Sequence, residues 1–291
     1  MRPDILTLLR TTLDEWRSDG APQIAAALTY YTLLSVAPLL VVLVNVLGSY
    51  LGRATVTDQV LEQAHALAGP LGEQLAAELI AAAGATTLST AASVIAALIA
   101  VFGAMRVFRQ LRVAFDRMWD IPPDEPPAGG LAEQVRFSLS ALGRHNLVAF
   151  LMVVAVGLML LASVMLSSVI TIGAGYLAPY VRLGPQTLRV AESLGSPALI
   201  TTLFAVVYRF LPRTSIAWRD VWLGAGITAA LFVAGRLLLG IYFTQASPGS
   251  AYGAAGSVVA LLVWVNFSSQ LALFGAEFTH VWAYTYGSRA R

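Results

Sequence analysis

Arg236 is the residue whose position most strongly suggests chemistry. It is the single charged residue of the apolar stretch 221–244, and a guanidinium at the centre of a membrane helix costs roughly 2.5–3.5 kcal/mol on insertion scales. Measured from the predicted outer end of that stretch, it lies about 11 Å deep at the helical rise of about 1.5 Å per residue. Either its side chain reaches out to the outer lipid headgroups, or it points inward at a polar cavity or an anionic group.

Polar residues in the last apolar stretch could accompany this arginine. Asn266, Gln270 and Glu277 are spaced so that they share one face of a helix. With Arg236 and with Asn45 of the first apolar stretch, they form a candidate polar pathway. The amides could equally join helices, since a hydrogen bond between membrane helices contributes about 0.6 kcal/mol on average.

A basic segment follows the second apolar stretch. Arg106, Arg109, Arg112 and Arg117 keep a helical spacing, and such a strip can hold the headgroups of anionic phospholipids. The orientation of a membrane protein requires the same arginines whatever they bind. Nucleic-acid binding is a third interpretation, but aromatic residues beside a membrane span are more typical of anchors, so we expect no nucleic-acid partner.

The sequence gives little support to a catalytic, metal or cofactor site. It contains no cysteine and no lysine, which excludes thiolate ligands and lysine Schiff bases. The histidines His65, His145 and His280 show no metal-ligand spacing among themselves. We therefore expect no catalytic residue, no bound metal and no cofactor, and we do not expect an enzyme.

These residues are set in a chain too apolar for a soluble domain. Hydrophobic residues make up 57% and charged residues 12% of the chain, and its mean hydropathy is +0.72. We predict an all-α, polytopic membrane protein with six transmembrane helices in a single integral membrane domain over residues 1–291. The predicted spans are 24–51, 86–105, 147–172, 193–211, 221–244 and 254–276.

The arginines predict how these spans are oriented. Of the 18 basic residues, all arginine, fourteen fall near the two termini and in the 106–144 and 209–220 loops, and three fall in the other loops. The positive-inside rule then places both termini in the cytoplasm. Tryptophans agree independently, because five of the six fall at the predicted cytoplasmic boundary.

Two segments outside the spans have amphipathic helical patterns. Residues 1–19 predict a helix on the cytoplasmic membrane surface, with docking onto a partner as the alternative. Its apolar positions are Ile5, Leu9, Leu13 and Trp16. Residues 53–85 alternate apolar and acidic positions around Gly69-Pro70, which predicts an amphipathic helical hairpin on the outer face.

Three segments together resemble the YihY/BrkB family of bacterial inner-membrane proteins. The first is Gln23-Ile-Ala-Ala-Ala-Leu-Thr-Tyr-Tyr-Thr-Leu-Leu-Ser-Val-Ala-Pro-Leu-Leu40. The second is Tyr208-Arg-Phe-Leu-Pro-Arg213 with Trp218-Arg-Asp-Val-Trp222, and the third runs from Tyr252-Gly-Ala-Ala-Gly-Ser257 through Leu262-Val-Trp264 to Phe274-Gly-Ala-Glu-Phe278. The resemblance implies six spans with cytoplasmic termini in the bacterial cytoplasmic (inner) membrane. It also implies a basic residue where Arg236 stands.

The resemblance implies transport or export of lipid-like or small molecules. The leading hypothesis is therefore a transporter, permease or lipid-handling protein for a lipid-like or small anionic substrate. Membrane lipids, including anionic phospholipid, would be its partners, and an oligomer is compatible with the sequence. A membrane scaffold without transport activity is the alternative. The family has also been labelled ribonuclease BN, a tRNA-processing nuclease, but no His/Asp cluster in the sequence matches the metals that such chemistry usually needs.

Overall fold

The computed structural model describes residues 4–42, 44, 48, 52–84, 90–122, 147, 151, 152, 154, 185–246 and 256–290. The described part of the chain contains helices and no strand, which confirms the all-α prediction. The helices are α1 (Ile5–Ser18), α2 (Ala21–Val42), α3 (Arg53–Gly84), α4 (Thr90–Met118), α5 (Pro185–Phe210), α6 (Trp218–Ala246) and α7 (Gly256–Thr285). Asn45, His145 and nearly all of the predicted span 147–172 lie outside the described residues.

Five of these helices, α2 and α4 to α7, cover predicted spans. Among the described residues, two stretches are long and apolar enough to cross a membrane, Trp218–Phe243 in α6 and Val258–Thr285 in α7. Pro197–Phe210 in α5 is a shorter apolar helix. Leucines of α6 such as Leu237 and Leu238 have more than half of their surface exposed, as lipid-facing side chains do. The full six-span arrangement and its orientation stay predictions.

The predicted hairpin over residues 53–85 is wrong. Arg53–Gly84 forms one helix that continues through Pro70. Proline removes one backbone hydrogen bond and crowds the preceding turn, yet a helix can continue across it when the peptide groups on both sides keep their own bonds. The Gly69-Pro70 pair therefore marks an interior proline of a long helix and does not mark a turn.

The helices pack around α2 and α7. α2 lies against α4, α7 and α3, and α6 lies between α5 and α7. One apolar core joins them, with Leu28 of α2, Phe115 of α4, Tyr208 of α5, Ala225 of α6 and Leu273 of α7 all buried in it. Small residues such as Ala225 let the backbones of apolar helices approach closely, and the rings of Phe115 and Tyr208 fill the space between the helices.

The N-terminal helix α1 docks on the end of α7. Leu8 packs against Phe278 and Val281, while Ile5 and Leu9 stay exposed, at 75% and 40% of their surface. The helix predicted within residues 1–19 is confirmed, whereas its place on the membrane surface stays a prediction. Leu8 lies on the docked face, and two of the predicted apolar positions do not. Those exposed side chains fit a helix that lies on a membrane surface while attached to the bundle.

Four distant segments meet at one end of the bundle, which we call the polar end. They are the turn after α1, the C-terminal end of α4, the connection between α5 and α6, and the segment after α7. Asp116 accepts hydrogen bonds from Arg213, and Asp220 accepts them from the backbone and hydroxyl of Ser288 at 3.0 and 2.6 Å. These contacts join the last three of these segments to one another, and the side of the membrane on which they lie stays a prediction.

Candidate functional site

The predicted polar residues of α7 lie on one stripe of that helix. Gln270 donates a hydrogen bond from Nε2 to Oδ1 of Asn266 at 2.6 Å, one turn away, and both side chains are half-buried. Glu277 continues the stripe towards the polar end and is 1% exposed. Fully buried Leu273 lies between Gln270 and Glu277 in the apolar core. An apolar layer therefore separates the amide pair from the carboxylate.

Arg236 lies half-buried on α6, level with this amide pair. α6 and α7 run antiparallel, since Gly224 faces Thr279 and Gly235 faces Phe267. Because Phe267 follows Asn266 directly, Arg236 stands at the height of the amides along the bundle. A cation and a hydrogen-bonded amide pair thus occupy the same level of two adjacent apolar helices.

A second polar site lies where α1 meets α7, and it is formed by Glu15, Glu277 and His280. Nδ1 of His280 lies 3.3 Å from Oε1 of Glu277 and 4.0 Å from Oε2 of Glu15. One donor atom of each residue lies within 4.8 Å of the other two. Among the described residues, the Oε2 atoms of both glutamates are buried and receive no hydrogen bond from an N–H or O–H donor, while the two carboxyl groups lie within hydrogen-bonding range of each other.

Aromatic rings enclose the imidazole of His280. The indole of Trp119 lies 5.1 Å from it, and the ring of Tyr284 meets it edge-on at 4.9 Å. The guanidinium of Arg289 lies over both rings, at 5.2 Å from Trp119 and 5.7 Å from Tyr284. These contacts restrict the rotation of the imidazole and hold Nδ1 towards the two carboxylates.

Further acidic groups surround this site. Burial raises the pKa of the Asp19 carboxyl above its ordinary value, and the nearby charge of Asp120 raises that pKa further, while Arg117 lowers it. Asp19 and Asp120 also act electrostatically on Glu277. Carboxyl groups therefore concentrate where α1, α4 and α7 meet.

The sequence did not predict this cluster of possible metal ligands. In the sequence, the spacing of each histidine is compared only with that of the other histidines, and Glu277 is grouped with the amides of α7. The spacing of Glu277 and His280 is the available signal, because residues three apart are neighbours on a helix and Glu-x-x-His supplies metal ligands in helical bundles. Glu15 has no such signal, since the docking of α1 on α7 brings it in across the whole chain.

The basic segment is one continuous helix, as predicted, but its arginines differ in exposure. Arg106 and Arg117 are exposed, whereas Arg109 and Arg112 are half-buried in the bundle. Positions 106 and 117 lie three turns apart and on nearly the same face of α4. This exposed face, and not the whole set of four, is open to a ligand or a lipid surface.

Comparison with known proteins identifies the family. The profile of the virulence factor BrkB family matches residues 12–291. The chain belongs to this family. The resemblance seen in the three sequence segments is thereby confirmed.

Curated relatives of this BrkB-family chain include proteins named UPF0761 membrane protein. One from Ralstonia nicotianae is 25% identical over 94% of this chain and 58% of its own length. Others are 24% identical in Alteromonas mediterranea, over 95% and 88%, and 27% identical in Alcanivorax borkumensis, over 90% and 57%. The chain therefore spans less than two-thirds of the Ralstonia and Alcanivorax relatives. No solved structure matches it significantly.

Two residues of the segment 208–213, which carries part of the BrkB resemblance, connect helices near the polar end. The hydroxyl of Tyr208 donates to the carbonyl of Ala272 at 2.7 Å and lies 3.0 Å from Oγ1 of Thr228, so it joins α5 to α7 and α6. At the other end of the same motif, Arg213 binds Asp116 of α4. These side chains position the helices that carry both polar sites.

Proposed function

We propose that this BrkB-family chain is a multi-pass protein of the bacterial inner membrane that moves or handles a lipid-like or small anionic substrate, and that it is not an enzyme. The observation that carries the proposal is half-buried Arg236 at the level of the Asn266–Gln270 pair. Charged residues inside membrane helices are rare and usually mark a substrate or ion path.

The chemistry of these three side chains fits an anionic group. A guanidinium presents a planar set of N–H donors that matches the oxygens of a phosphate or a carboxylate. Gln270 and Asn266 already satisfy one donor and one acceptor between them, which leaves further amide groups to orient a polar headgroup. A substrate with an anionic head and an apolar tail would match a charge set among apolar helices.

The exposed face of α4 supports membrane lipids as partners. Arg106 and Arg117 share this face with Phe102 and Val113, whose exposed fractions are 62% and 55%. Basic and apolar side chains side by side suit the boundary between anionic headgroups and acyl chains. We propose that anionic phospholipid, and not a nucleic acid, contacts this face.

Lipid movement in reconstituted vesicles tests the proposal. The purified chain would be placed in vesicles with a trace of fluorescent phosphatidylglycerol, and its exchange between leaflets followed by dithionite quenching. We expect faster exchange than in protein-free vesicles, and loss of this gain in Arg236→Leu. The matched control is Arg219→Gln, because Arg219 is exposed in the first turn of the same helix and should leave the exchange rate unchanged.

The melting temperature in detergent separates this function from a scaffold role. If Arg236 serves a substrate path, Arg236→Leu should fold at least as well as the wild type, because the insertion penalty of the cation disappears. If the residue holds helices together, the variant should have a lower melting temperature, because each lost hydrogen bond removes about 0.6 and at most about 1.7 kcal/mol of stability. The scaffold role would be favoured if the wild-type protein moves no lipid and Arg236→Leu has a lower melting temperature than the wild type.

A further inference from the structure

We propose that Glu15, Glu277 and His280 bind a divalent transition-metal ion such as Zn²⁺, and that the ion fastens α1 to the end of α7. The three side chains come from two helices that are distant in sequence and packed together in the fold. The proposal is independent of any transport through the Arg236 level.

The distances suit one shared ion. Zinc bonds to histidine nitrogen and carboxylate oxygen are about 2.0–2.2 Å long, so two ligands of one tetrahedral ion lie roughly 3.4 Å apart. Nδ1 of His280 and Oε1 of Glu277 are 3.3 Å apart, and Oε2 of Glu15 lies 4.0 Å from the same nitrogen. A small rotation of the half-exposed Glu15 side chain closes the remaining gap, and water can supply a fourth ligand.

Unpaired carboxylate oxygens give a second, independent indication of a cation. Glu277 has only 1% of its surface exposed, and among the described residues neither its Oε2 nor Oε2 of Glu15 receives a hydrogen bond from an N–H or O–H donor, while the two carboxyl groups lie within hydrogen-bonding range of each other. A buried carboxylate oxygen without a partner is strongly unfavourable. A cation held by Oε2 of Glu15 and by both oxygens of Glu277 would satisfy these atoms, as would a shared proton, and the imidazole nitrogen beside them favours the metal.

The donor set indicates the class of metal. Imidazole suits zinc, iron, copper and nickel, whereas carboxylates alone suit magnesium and calcium. Asp19 and Asp120 add negative potential around Glu277. Arg289 opposes it from across the rings of Trp119 and Tyr284. One nitrogen and two carboxylates therefore favour a borderline ion, for which Co²⁺ is a spectroscopic substitute.

Metal titration of the purified full chain tests the site. After treatment with a chelator, Zn²⁺ binding would be measured by calorimetry and Co²⁺ binding by visible absorption. We expect close to one ion per chain and the visible bands of a low-coordinate Co²⁺ site. Loss of an outer-shell partner typically weakens metal binding about 10–100-fold. Glu277→Gln and His280→Ala should each weaken binding by more than this. The matched control is Glu73→Gln, because Glu73 and His65 form an exposed pair with a 2.8 Å contact.

Two further readouts keep the proposal testable if a variant is unstable. Zn²⁺ should raise the melting temperature of the wild type and of Glu73→Gln, and leave that of Glu277→Gln unchanged, since a ligand stabilises only the state that binds it. Zn²⁺ should also slow trypsin cleavage after exposed Arg10 in the wild type and in Glu73→Gln, but not in Glu277→Gln. Absence of Zn²⁺ binding, with Glu277→Gln melting higher than the wild type, would assign the cluster to a shared proton and overturn the proposal. Equal Zn²⁺ effects on wild type and Glu277→Gln would overturn it as well.

Discussion

Gly224 and Thr279 face each other where α6 crosses α7, with no room for a methyl group between them. Gly275 and Thr228 repeat the arrangement one turn away. Each threonine also donates its hydroxyl to the carbonyl of the glycine on its own helix, Thr228 to Gly224 at 2.7 Å and Thr279 to Gly275 at 2.6 Å. The two helices therefore meet at a reciprocal pair of glycines, the type of contact by which apolar helices approach most closely.

Gly275→Ala should lower the melting temperature of the purified protein. The added methyl group would overlap the hydroxyls of Thr228 and Tyr208, and such overpacking typically costs about 1–3 kcal/mol. Gly226→Ala is the control, because nothing lies within 4 Å of a methyl group there and alanine favours a helix over glycine by up to about 1 kcal/mol. Equal melting temperatures of the two variants would show that α6 and α7 can move apart at the crossing without loss of stability.

These glycines show what sequence reasoning can and cannot reach. Small residues such as those at 224–226 are typical of close helix packing, and Gly224 makes such a contact. The pattern cannot distinguish Gly224 from Gly226, because the distinction depends on which face meets α7. Apolar length likewise predicts α6 and α7 well. Pro70 is misread because proline within a long helix and proline at a turn have the same local sequence.

The candidate site divides in the same way. Asn266, Gln270 and Glu277 share a stripe because helical periodicity is local, and the sequence predicts this from spacing alone. The meeting of Glu15 with His280 depends on the docking of α1 through Leu8, a contact between the two ends of the chain. Periodicity carries no information about such pairings.

Asp116→Asn should also lower the melting temperature. Asp116 accepts hydrogen bonds from Nε of Arg213 at 2.7 Å and from the backbone N–H of Arg213 at 2.9 Å. The side chain of Asp116 is only 10% exposed and that of Arg213 16%. Removal of one partner from a buried ion pair costs up to about 3–5 kcal/mol because the other charge loses its counter-charge. Asp14→Asn, at an exposed position of α1, should leave the melting temperature unchanged. A similar result for both variants would show that the Asp116 pair contributes little.

Orientation in the membrane can be tested with single cysteines, because the chain contains none of its own. Ala77→Cys lies at an exposed position of α3 and Ala290→Cys at one after α7. In intact cells a membrane-impermeant maleimide should label Ala77→Cys, and it should reach Ala290→Cys only after permeabilisation. This follows from the concentration of arginines at the polar end. Labelling of Ala290→Cys in intact cells would reverse the predicted orientation.

Lipid binding should depend on the exposed arginines of α4. The double variant Arg106→Gln, Arg117→Gln should retain less phosphatidylglycerol in native mass spectrometry, because each basic residue near an anionic surface contributes about 1 kcal/mol, or roughly fivefold in affinity. The matched control is Arg109→Gln, Arg112→Gln, which removes the same charge from half-buried positions and should have the smaller effect. Retention of phosphatidylcholine should not change in either variant, since its headgroup has no net charge. If both double variants lose phosphatidylglycerol equally, the total charge of the segment governs the association and the exposed face of α4 is not a defined lipid site.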